Sequence, residues 1–127
     1  MTVNSLLDNL VKDRQLNNPA EILANLHLEI STTLHQRSEQ AQQDGVEIAL
    51  LKIEAANKLL TFCGAGLNLV HYLPDKDEFH FQRGDKHSLG GAKWFETLQF
   101  ENHSIIYNSG DRIYLYTDGI IDQPALN

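Results

Sequence analysis

The hydrophobic pattern changes period once, near residue 44, and this change limits the possible folds more than any motif does. Before it, apolar residues recur every three or four positions. Leu6, Leu7, Leu10 and Val11 form a short run, and Ile22, Leu23, Leu26, Ile30 and Leu34 form a longer one. That spacing predicts amphipathic helices with one wet face, here carrying Glu21, Asn25, Glu29 and Gln36. The stretch Asn17-Asn18-Pro19-Ala20-Glu21 reads as a helix start. Asn18 suits the N-cap, Pro19 sits at the first helical position where its missing N–H costs nothing, and Glu21 falls at the third. The polar tract Gln36–Gln43 ends the helix in a loop.

Beyond residue 44 the period is two. Strands are predicted over Val46–Glu54, Lys58–Cys63, Leu67–Leu73, Glu78–Gln82, Thr97–Glu101, Ser104–Tyr107 and Arg112–Thr117. Val46–Glu54 and Lys58–Cys63 are apolar on nearly both faces. They read as interior, adjacent strands joined at Ala55–Asn57. Gly64-Ala65-Gly66 breaks the second strand, and in Thr97–Glu101 the inward residues are Leu98 and Phe100. Helices first, then strands on short connections, mean an α+β fold with helices packed on a largely antiparallel sheet. The length, 127 residues, suits one domain. Residues 1–43 are its helical part, 44–119 its strands and 120–127 a tail.

Charge narrows the partners. Ten Lys and Arg face 17 Asp and Glu, a net charge of −7, with no basic run. Such a chain is a poor binder of nucleic acid and of anionic membranes. No apolar run is long enough to span a bilayer, and the start lacks a secretory pattern. With one cysteine, Cys63, there is no internal disulfide and no CxxC zinc site. A cytoplasmic protein is expected. Cys63, in an apolar strand, reads as an inert core thiol.

The strongest chemical feature is Tyr114-Leu115-Tyr116-Thr117-Asp118-Gly119-Ile120-Ile121-Asp122. An apolar strand delivers Asp118 at its end, with Asp122 four residues on. Carboxylates on a rigid strand end suit Mg²⁺ or Mn²⁺, which want oxygen ligands. Alone, the same stretch also reads as an Asp-Gly turn, and Asp44-Gly45 allows the same two readings. Gly84-Asp85-Lys86-His87-Ser88-Leu89-Gly90-Gly91 is either a ligand-facing loop or a hairpin connection. His27 and His35, eight apart, read as a solvated helix-surface pair. No Ser-His-Asp set can be assembled, and no nucleophile elbow is present.

Four of these segments occur in a familiar order: Asp44–Leu50, Phe62–Leu67, Gly84–Gly91 and Gly110–Gln123. Together with the helix start Asn18–Leu23, they resemble the metal-dependent PPM-type protein serine/threonine phosphatases, in their stage II sporulation protein E-like bacterial branch. The resemblance implies a partial α/β/β/α sandwich. It also implies acidic side chains at one end holding Mg²⁺ or Mn²⁺, which activate a water against phosphoserine or phosphothreonine. It gives Asp118 a core-metal role and Asp122 a third-metal role, and makes Asp44 a candidate ligand. The substrate implied is a phosphoprotein regulator such as an anti-sigma-factor antagonist. The family's first bridging Asp lies in a preceding Asp-Cys-Thr-Gly-His-Gly-like stretch, and its last metal-binding Asp in a following strand. Neither has a counterpart here, and Glu47 stands where many relatives carry Asp. The isolated chain is therefore expected to be inactive and, with sheet edges uncovered, to form homo-oligomers. The alternative is a non-catalytic binding or dimerising module built on the same fold.

Overall fold

The computed structural model describes residues 3–37 and 45–117, apart from the side chains of 34–37. The first helix, α1 (Val3–Asp8), runs into one wider π-type turn over Asn9–Asp13, which buries Leu10. The long helix, α2 (Pro19–Arg37), begins where the sequence predicts. Asn18 Oδ1 accepts the Ala20 N–H at 3.0 Å and the Glu21 N–H at 3.3 Å, as an N-cap should. Asn102, far along the chain, reinforces the cap. Its Oδ1 also accepts the Ala20 N–H, and its Nδ2 donates to Asn18 Oδ1 at 2.7 Å.

The strands are β1 (Ile48–Glu54), β2 (Leu59–Ala65), β3 (Asn68–Leu73), β4 (Glu78–Gln82), β5 (His103–Ile106) and β6 (Arg112–Tyr116). They form two three-stranded antiparallel sheets, ordered β1-β2-β5 and β4-β3-β6. The predicted pairing of the first two strands is present, with Ile48 opposite Ala65 and Glu54 opposite Leu59. A short 3₁₀ turn over Ala55–Asn57 joins them, and Lys58 closes it at φ 50°.

Four expectations need correction. Among the described residues β1 is an edge strand, not an interior one. Its two-sided apolar pattern arises because one face meets the helices while Leu51 and Ile53 on the other remain exposed. The glycines at 64–66 do not break β2 at Gly64; the strand runs on through Ala65, and Gly66 turns the chain at φ 82°. Residues 97–101 are not a strand. Leu98 and Phe100 are buried as read, but they pack from an irregular segment against the helices. His27 is not on a solvated surface; it is fully buried.

The core has two parts. Ile22, Leu23, Leu26 and Ile30 of α2 pack with Leu10, Cys63, Ala65, Leu89, Leu98 and Phe100 on the outer face of β1 and β2. Leu60, Phe62 and Leu69 join β2 to β3 between the sheets. The described residues thus form an α/β/β stack. The outer face of the second sheet has no covering layer among them. Val70 lies opposite Phe81 and Tyr114, and Tyr72 opposite Phe79, so these side chains share that face. Phe79 and Phe81 are 57% and 66% exposed.

Candidate functional site

Strand direction collects the singled-out segments at one end of the stack. The start of β1, the end of β2, the start of β3 and the end of β6 coincide there, because Ile48 pairs with Ala65 and Asn68 with Tyr116. The Gly84–Gly91 stretch is neither a tight hairpin nor a free loop. Asp85 bridges Ala65 in parallel fashion, with its N–H donating to the Gly64 carbonyl at 2.9 Å and its carbonyl accepting the Gly66 N–H at 2.8 Å. Leu89 bridges Val46 by two backbone bonds of 2.8 and 2.9 Å. The Gly84 N–H donates to Asn68 Oδ1, and Asp85 Oδ2 accepts the Glu101 N–H.

Close approach explains the glycines. A Cβ on Gly84 would collide with the Leu67 carbonyl and stand 3.0 Å from Gly64 Cα. A Cβ on Gly45 would collide with the Leu89 carbonyl and reach 2.6 Å from Ser88 Oγ. Gly66 lies against the side chain of Glu47. The loop is also tied to α2 through His27, whose Nδ1 accepts the Gly90 N–H at 3.0 Å while its Nε2 donates to the Glu96 carbonyl at 2.8 Å. These two partners require the neutral tautomer protonated on Nε2. Sequence reading missed this histidine because helical spacing alone does not say what a polar residue meets.

Asp44, Asp118 and Asp122 lie outside the described residues. Among the described residues no group of three or more His, Cys, Asp or Glu could hold a metal ion. The described carboxylates at this end include Glu47, which is exposed, and Asp85, which is engaged with Glu101. They do not fit a two-metal centre on their own. Cys63 lies just beneath, and burial, with Asp85 and Glu101 adding negative charge, pushes its thiol pKa up to about 12. It is no nucleophile.

The Stage II sporulation protein E (SpoIIE) family model matches residues 1–127. The chain belongs to the SpoIIE family. Among curated relatives, phosphoserine phosphatase RsbP of Bacillus subtilis (strain 168) is 27% identical over 107 residues, which is 84% of this chain and 25% of RsbP. The fold matches the SiaA-PP2C domain of Pseudomonas aeruginosa with a TM-score of 0.66 at 22% identity. It also matches RsbX, solved in complex with magnesium, with a TM-score of 0.63 at 17% identity. Each alignment covers 94% of this chain, but 43% of the SiaA domain and 53% of RsbX. The chain therefore spans a quarter of RsbP and about half of each solved domain. The fold is that of part of a PP2C-type phosphatase domain.

Proposed function

We propose that this SpoIIE-family chain forms the middle and later part of a metal-dependent protein serine/threonine phosphatase domain. It would act in the cytoplasm on a phosphoprotein regulator such as an anti-sigma-factor antagonist. One observation carries the reading: segments distant in sequence (Gly45–Glu47, Gly64–Gly66, Gly84–Asp85 and the end of β6) meet at one end of a two-sheet sandwich. The likeness to a phosphoserine phosphatase and to a magnesium-bound fold neighbour supports it.

In this reading Asp118 is a core-metal ligand, Asp122 serves a third metal and Asp44 is a candidate ligand. Their hard carboxylate oxygens suit Mg²⁺ or Mn²⁺. A two-metal centre needs several carboxylates to offset charge and set geometry, and this set lacks the family's bridging acid. The 127-residue chain is expected to bind Mn²⁺ at about millimolar strength or weaker. It is expected to release no phosphate from a phosphoserine protein. A complete domain containing this sequence should turn over with Mn²⁺, and Asp118→Asn should remove most of the rate. Unchanged turnover in that variant would sink the site assignment.

The exposed Phe79, Phe81 and Tyr114 face favours a second reading, a dimerising or docking module without chemistry of its own. Asp118→Asn separates the two, since docking would survive it.

A further inference from the structure

In a chain of net charge −7, residues 83–93 hold three of the ten cationic side chains, Arg83, Lys86 and Lys93, against one acid, Asp85. Asp85 is turned away to the Glu101 N–H. Lys86 and Lys93 make no ion pair among the described residues. Both line one pocket of about 180 Å³, together with His87, Ser88 and Ala92. The pocket wall is held on both sides. Asp85 is bridged to β2, Leu89 to Val46 and Gly90 to His27, while the Trp94 and Glu96 N–H groups close turns onto the Gly91 and Lys93 carbonyls. Ser88 faces the backbone of Gly45, so the pocket adjoins the end of the sandwich where the family segments meet.

Two lysines that pair with no carboxylate among the described residues, together with a serine and a histidine, line a recess whose chemistry suits a phosphate dianion. The chain's net charge of −7 repels such an anion, which makes a local cationic recess matter more for its approach. We infer that this pocket receives the phosphorylated side chain of the phosphoprotein substrate, with Lys86 and Lys93 as its charge contacts and His87 and Ser88 as hydrogen-bonding partners. The inference rests on the phosphatase reading and adds to it a substrate-binding role for Lys86, His87, Ser88 and Lys93.

The test begins with the 127-residue chain and needs no turnover. O-phosphoserine titrated into ¹⁵N-labelled protein should shift the amides of Lys86, His87, Ser88 and Lys93, with a dissociation constant of about 1 mM. Serine should not. The double variant K86E/K93E changes two exposed side chains and should keep its fold by circular dichroism while losing those shifts. In a complete, active domain the same variant should raise KM for the phosphoprotein about tenfold at low salt. The KM gap should narrow at high salt. Shifts confined to other residues, or binding unaltered in K86E/K93E, would overturn the pocket assignment even in an active domain. A complete domain with no phosphatase activity would instead overturn the function on which the inference rests.

Discussion

His27 bonds two backbone groups: it accepts from Gly90 N–H and donates to the Glu96 carbonyl, inside the helix–sheet layer. Removing the ring deletes both bonds and leaves a cavity at a fully buried site. His27→Ala should therefore lower stability by about 2–4 kcal/mol in urea unfolding, far above a typical surface change. Cys63 should resist a thiol reagent at pH 8 until denaturant is added, because a thiol with a pKa near 12 has almost no thiolate there. Fast labelling of the native chain would contradict the burial. Asp111 accepts the Asn108 N–H at 2.9 Å and pairs with His71 at 2.8 Å, and both bonds hold its carboxyl below the usual value. A lowered native pKa contributes stability that is complete above the unfolded value of about 4 and is lost as pH falls through the native one. Acid titration of Asp111→Asn should show a flatter decline in that window than the parent chain.

At the scale of elements, glycine positions separate two kinds of constraint. Gly84 sits where the 83–102 connection crosses the β2–β3 turn, and an added methyl would meet backbone that cannot retreat. Gly84→Ala should cost about 2 kcal/mol or more, by the logic of an overpacked core. Gly110 has a φ of 93° but open space around it. Gly110→Ala should cost only the backbone term, about 1 kcal/mol. Thermal unfolding of the two variants side by side checks the ranking, and the reverse order would show that the crossing is looser than the geometry implies.

For the whole molecule, the exposed outer face of the second sheet bears on association. Its outer face presents Val70, Tyr72, Phe79, Phe81 and Tyr114, and among the described residues nothing packs over them. The relatives are longer: this chain spans about half of the solved domains it matches. Expressed alone, it should self-associate at micromolar concentration, and Phe79→Ser with Phe81→Ser should return it to a monomer in sedimentation. A parent chain that stays monomeric would argue that the tyrosines and sheet twist keep this face soluble.

Local physics made part of this legible in the sequence. Pro19 behind Asn18 sets the start of α2, and the spacing of Ile22, Leu23, Leu26 and Ile30 sets its buried face, because both act within one or two helical turns. Glu78–Gln82 alternates with clear turns on each side and is a strand at the bounds read. The order of four glycine- and aspartate-marked segments was enough to suggest the SpoIIE family. The site was not legible in the same way. That Asp85 bridges Ala65, that Leu89 pairs with Val46, and that His27 holds Gly90 depend on contacts between positions 20 to 63 residues apart. No local propensity encodes such distances. The edge position of β1 and the irregular path of residues 97–101 likewise follow from which partners remain after the two sheets form. Lys86 and Lys93, seven apart in a loop, face one pocket only because tertiary bonds on both sides fold that loop back onto the start of β1.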